Sequence, residues 1–181
     1  MATSLVGVAL LAVGAVACGS SGPTIDTAAP TGRVEAAAAN GRFQLTFAVD
    51  RGVVRGDEAI TGEAALHQTV PGGATISGSG ALFSFDFLEI GGEGRHVAPV
   101  SDAGCSPHRV TSDAPSVSPI VKSGSPDGPD AAFIADFLKG TAVHLPPGTW
   151  EITATASFHD AEACAGQELL LRATVRVYVA G

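Results

Sequence analysis

Two segments near the C-terminus alternate with a period of two and leave the chain little freedom in its choice of fold. In the first, Trp150, Ile152, Ala154, Ala156 and Phe158 alternate with Glu151, Thr153, Thr155, Ser157 and His159. In the second, Leu169, Leu171, Ala173, Val175, Val177 and Val179 alternate with Leu170, Arg172, Thr174, Arg176 and Tyr178. Successive side chains of a strand point to opposite faces, so each segment reads as a long strand with one apolar face. Phe43, Leu45, Phe47 and Val49 repeat the pattern earlier, alternating with Gln44, Thr46, Ala48 and Asp50. A sheet with one apolar face must bury it against a second layer.

The remaining segments fit that demand. Residues 59–70 read as a strand ended by Pro71-Gly72-Gly73. Residues 75–90 carry Phe83, Phe85 and Phe87 on one face, with Gly78 and Gly80 marking a bulge or bend. Gly91-Gly92-Glu93-Gly94 reads as a hairpin turn, and residues 95–100 as a strand returning antiparallel. That return delivers Cys105 to the end where Thr75 began. Residues 111–130 are rich in proline; Val117, Ile120 and Val121 predict a short edge strand, and the rest a loop. The Ala-rich stretch 34–40 fits either a linker or a first edge strand.

One helix is expected over residues 130–140. Asp130 is placed to cap it, Phe133, Ile134, Phe137 and Leu138 share a face, Lys139 falls in the last turn and Gly140 can end it. The 23 glycines and 11 prolines are too many for a helical bundle. The prediction is an all-β, antiparallel sandwich of about seven to nine strands with one short helix, spanning residues 42–181. Two stretches carry the family likeness: Leu145-Pro146-Pro147-Gly148-Thr149-Trp150-Glu151-Ile152 and Gly56-Asp57-Glu58-Ala59-Ile60. Both resemble immunoglobulin-like and fibronectin-type-III-like sandwiches of bacterial envelope proteins, and also a bacterial proteinase-inhibitor sandwich. The resemblance implies a fold and leaves the ligand open.

Residues 4–17, SLVGVALLAVGAVA, carry no charge. The run is short for a bilayer span and fits a signal-peptide core. It ends in Ala15-Val16-Ala17-Cys18, followed by Gly19-Ser20-Ser21-Gly22-Pro23. This resembles the leader of bacterial lipoproteins. The resemblance implies that residues 1–17 are removed, that Cys18 is diacylated, and that residues 18–41 form a flexible tether. Two acyl chains suffice for stable anchoring, so the expected location is the extracytoplasmic face of the cell membrane or outer membrane. An ordinary secretory signal cleaved near Ala17 and a cytoplasmic apolar N-terminus are the alternatives. With Cys18 assigned to lipid, Cys105 and Cys164 remain as a pair in an oxidising compartment. Their disulfide would close a loop of about 60 residues, worth about 4 kcal/mol in the chain-entropy model.

Ten Lys and Arg stand against 18 Asp and Glu, a net charge of −8. Nucleic-acid binding needs a basic face to displace phosphate counterions, so nucleic acid is not an expected partner. His67, His96, His108, His144 and His159 are spread along the chain, with none two to four residues from another. They form no local ligand pair, and no metal or other cofactor is expected. Asp127-Gly128-Pro129-Asp130 lacks the alternating ligands of a calcium loop. Gly78-Ser79-Gly80 lacks the frame of a nucleophile elbow. Ser106, His108 and Asp113 are hydrolase residue types, yet their spacing carries no geometry.

No catalytic residue emerges, so the expected role is a non-catalytic binding or structural module of the cell envelope, not an enzyme. Residues 101–130 and 159–168 are the candidate recognition loops, tied together if the disulfide forms. The membrane is met through the lipid anchor, and the partner would be an envelope protein or polysaccharide. Two alternatives stand beside this one. The first is a proteinase-inhibitor-like module presenting residues 111–130. The second is a metal-binding or hydrolytic envelope protein that gathers its histidines in space.

Overall fold

The alternating segments form the strands they predict. The structure is a computed structural model that describes residues 30–100 and 104–181. Residues 1–17, Cys18 and the first part of the expected tether lie outside the described residues. In chain order the elements are β1 (Val34–Ala39), β2 (Phe43–Val49), β3 (Val53–Arg55), β4 (Gly62–Gln68), β5 (Gly73–Ile90), β6 (His96–Val97) and β7 (Ser106–Thr111). They continue with β8 (Ser116–Pro119), α1 (Ala131–Phe137), β9 (Gly148–His159) and β10 (Glu168–Ala180).

The strands form two sheets, one in the order β1-β2-β4-β8 and the other β3-β10-β9-β5-β6, with β7 also paired to β5. The architecture is an all-β sandwich, and it departs from the sequence reading in three ways. Ten strands are present among the described residues, because β3 and β7 form where no strand is predicted and the Ala-rich stretch forms β1. One pair is parallel: β3 lies beside the end of β10, with Val54 opposite Val179. The folded unit also begins before residue 42. The Ala-rich stretch is edge strand β1, with Ala36 opposite Phe47 of β2. Before β1, the amide of Gly52 donates to the carbonyl of Gly32 at 2.8 Å. Alanine has weak strand preference, so pairing and packing made this strand where propensity did not.

The core lies between the sheets. Phe43, Leu45, Phe47 and Val49 of one sheet face Phe85, Phe87, Trp150, Ile152 and Val177 of the other, all essentially inaccessible to solvent. Aromatic contacts cross the gap: Phe43 meets Phe158 edge-on at 5.1 Å, and Phe47 lies 5.8 Å from Phe85. The return strand after the 91–94 turn is shorter than residues 95–100, since only His96 and Val97 pair with Leu88 and Phe87.

Helix α1 covers one end of the sandwich. Ile134 and Phe137 are buried, and Phe137 packs on Phe87 at 5.1 Å. Its caps differ from those expected. Asp130 makes no side-chain cap; its carboxylate instead accepts the amide of His96 at 3.1 Å. Lys139 lies beyond the last turn and pairs with Asp136 at 2.8 Å. The orphan carbonyls of the C-terminus are taken by Lys122, whose ammonium donates to the Phe137 and Lys139 oxygens and sits 5.3 Å from the Phe137 ring centre. Burial there pulls Lys122 below the ordinary lysine value.

Candidate functional site

The bulge predicted from Gly78 and Gly80 organises the end of the sandwich away from α1. Strands β5 and β9 pair at Gly78 with Phe158 and again at Phe83 with Ala156. Residues 79–82 of β5 therefore stand against the single Ser157 of β9. Gly78 is needed for this approach, because a Cβ there would lie 2.9 Å from the Ser157 carbonyl oxygen. Before the bulge, β5 changes partner and pairs with β7, Ile76 opposite His108.

Cys105 immediately precedes β7, and Cys164 ends a 3-10 turn, Glu162–Cys164, between β9 and β10. The two are joined in a disulfide with a Cα–Cα distance of 6.0 Å. Ser77, fully buried, fixes the turn from below: its hydroxyl donates to the Ala161 carbonyl at 2.6 Å and accepts the Cys164 amide at 2.7 Å. Ala163 and Cys164 both take positive φ, 57° and 51°, a conformation unfavourable for residues with a Cβ. The covalent bond and Ser77 together hold them in it.

Beside the disulfide lies a cleft of about 410 Å³, within the range of small-ligand sites. Both candidate recognition segments reach it: Gly104, Cys105, Val121 and Ser123 from 101–130, and His159, Cys164 and Glu168 from 159–168. Strand residues Ser84, Thr155 and Ser157 form a hydroxyl wall, and Leu82, Pro99, Val100 and Val121 supply apolar surface. Val100 and Val121 are 55% and 43% exposed, so the rim offers apolar surface beside the hydroxyls. Ser157 donates to Glu168 at 2.7 Å. The imidazole of His159 faces the Gly166 carbonyl at 3.4 Å.

The other residues singled out in the sequence do not converge. His108 contacts the Ser79 carbonyl at 3.0 Å, while Asp113 accepts from its neighbour Ser112 at 2.8 Å. His96 pairs with Asp86 at 2.7 Å. Asp127 is bonded to Ser125 and Asp130 to His96, so the two carboxylates serve different partners. Asp160 pairs with Arg42. Among the described residues no group of three or more His, Cys, Asp or Glu is arranged to hold a metal ion.

A buried ion pair escaped the sequence reading. Glu89, its side chain 3% exposed, is gripped by Arg95, Nε to Oε2 at 2.9 Å and Nη2 to Oε1 at 3.0 Å. The Arg95 hydrogen bond holds the Glu89 carboxyl below the ordinary carboxylate range, against the burial that raises it. The guanidinium lies 5.3 Å from the Phe133 ring centre and 5.8 Å from that of Trp150. Gly92 has a φ of +57°, and a Cβ there would lie 2.5 Å from Glu89 Oε1, so this turn requires glycine. A signal existed: Glu89 has the parity of Phe83, Phe85 and Phe87, which points it inward, and Arg95 follows just past the turn. Both Glu89 carboxylate oxygens accept from Arg95, so the arrangement reads as a structural lock.

The chain matches no protein-family model, no curated protein and no solved structure.

Proposed function

We propose that this chain is exported, lipid-anchored through Cys18 on the extracytoplasmic face of a bacterial membrane, and serves there as a non-catalytic, immunoglobulin-like binding module. The observation that carries the binding role is the cleft itself. Two chain segments distant in sequence are joined by a disulfide and line one recess with hydroxyls and exposed valines. Disulfides persist in oxidising compartments, which supports export. The hydroxyl of Ser157 is bonded to a carboxylate rather than to an imidazole, which speaks for recognition over nucleophilic attack. The bond between Cys105 and Cys164 staples one end, whereas antibody domains bridge their two sheets. An inhibitor-like display of 111–130 is less favoured, because β8 pairs with β4, Ile120 is buried and Lys122 clamps α1.

The test is a methyl NMR titration of the mature protein with a soluble extract of bacterial envelope. Shifts should appear at Leu82, Val100 and Val121, with every extract component unchanged afterwards. Shifts absent from the cleft, or a component converted to product, would overturn the reading.

A further inference from the structure

We infer that the outer face of β9 and β10 is a binding lane for a linear, uncharged polysaccharide, an assignment that rests on the binding-module reading above. A polar sheet face alone only meets water. This one is recessed at both ends. The disulfide cleft takes in Thr155, Ser157, His159 and Glu168 of this face. A second groove of about 790 Å³ takes in Thr149, Glu151, Thr174, Arg176 and Tyr178, walled on one side by Pro30, Val34 and Glu35 at the start of β1.

The register makes the two recesses one path. Tyr178 lies opposite Thr149, Arg176 opposite Glu151, Thr174 opposite Thr153 and Arg172 opposite Thr155. Leu170 and Glu168 follow, opposite Ser157 and His159. The cleft reaches Thr155 and the groove begins one rung away at Thr174, whose hydroxyl is 2.8 Å from that of Thr153. From Thr149 to His159 the path runs about 33 Å at the rise of an antiparallel strand.

The chemistry of the path selects the ligand. Thr149, Thr155 and Ser84 carry hydroxyls that can both donate and accept, Thr153 and Thr174 share one hydrogen bond, and Ser157, donating to Glu168, can still accept, as neighbouring sugar hydroxyls require. Tyr178, the chain's only tyrosine, is 44% exposed and offers a flat apolar ring at one end. Arg172 and Arg176 stand against Glu151, Glu168 and Asp86, with Arg176 paired to Glu151 at 2.6 Å, so the face carries both signs and only a small net negative charge on a chain of net charge −8. A polyanion or polycation would find no complementary field there. Two recesses set end to end along the same pair of strands fit a chain rather than a compact molecule.

The experiment is calorimetric titration of the mature, full-length protein with β-1,4-linked hexasaccharides of glucose and of N-acetylglucosamine, and with the matching disaccharides. At least one hexasaccharide should bind, about tenfold or more above its disaccharide. Affinity should hold within about twofold between roughly 50 and 500 mM salt. Tyr178→Ala should weaken binding about tenfold, with Tyr178→Phe close to the wild type. Binding lost in Ser157→Ala but untouched in Tyr178→Ala would overturn the lane and leave the cleft as the site. No hexasaccharide bound, while envelope extract still shifts the cleft methyls, would overturn the ligand class and leave the binding module standing. Silence in both experiments would overturn both.

Discussion

At the α1 end, Trp150, Phe133, Phe137 and the Glu89/Arg95 pair fill the space between the sheets. At the other end of the same long strands, β5 bulges away from β9, small polar side chains line a cleft, and a covalent bond does the holding. Dense packing closes the space between the sheets there, and a recess of about 390 Å³ at that end is lined instead by α1 and its flanks, Lys122, Asp136, Phe137 and His144 among them. A disulfide constrains the chain without filling space, because much of its effect falls on the unfolded state. An end held this way can stay open, and that is where a recognition site has room to sit.

The contrast breaks most visibly at Trp150. Its indole is fully buried, donates to the Pro146 carbonyl at 2.9 Å and stacks on Phe133. Trp150→Ala should cost about 3–5 kcal/mol, read by urea denaturation. A loss under about 1 kcal/mol would mean that the α1 end is not held by packing. Replacing Cys105 and Cys164 together by serine should cost about 2–4 kcal/mol and loosen amide protection around the cleft. Protection at α1 should stay at the wild-type level in that variant.

Arg95→Ala leaves a carboxylate in the core without its partner and should cost about 2–3 kcal/mol, somewhat less than a fully enclosed pair because Arg95 keeps some solvent. The pair also sets an acid dependence. Glu89 titrates lower in the folded chain than in the unfolded one, so the unfolded chain takes up the proton first as pH falls. The stability Glu89 contributes is complete above the ordinary glutamate range, near about 4.3, and drains away below it. Thermal melts of Glu89→Gln should therefore fall less steeply with acid than those of the wild type; parallel acid limbs would remove the pair from the account. The smallest effect is expected at Ser77→Ala, about 1–2 kcal/mol, because two backbone groups lose their partner beneath the disulfide turn.

Much of this layout was legible in the residues. Two-residue alternation located β2, β9 and β10, the shared parity of Phe83, Phe85 and Phe87 oriented β5, and Gly78 with Gly80 marked the bulge. Pairing Cys105 with Cys164 followed from counting cysteines in a chain whose leader reads as an export signal, and the structure joins them. What stayed hidden depends on neighbours remote in sequence. The alanines of β1 carry no pattern of their own and are ordered by β2. Lys122 caps a helix that starts nine residues later, while Asp130, with the right chemistry at the right place, is drawn off by His96. The cleft needs loop segments from both sides of the helix, and no local spacing announces it.

Export and the stapled end meet in one measurement: mass spectrometry of a non-reduced digest of the protein recovered from bacterial membranes. A joined peptide containing Cys105 and Cys164, together with an N-terminal peptide starting at lipid-modified Cys18, is the predicted result. Free thiols at Cys105 and Cys164 in that material would contradict the account, because the open end would then lack the bond that holds it.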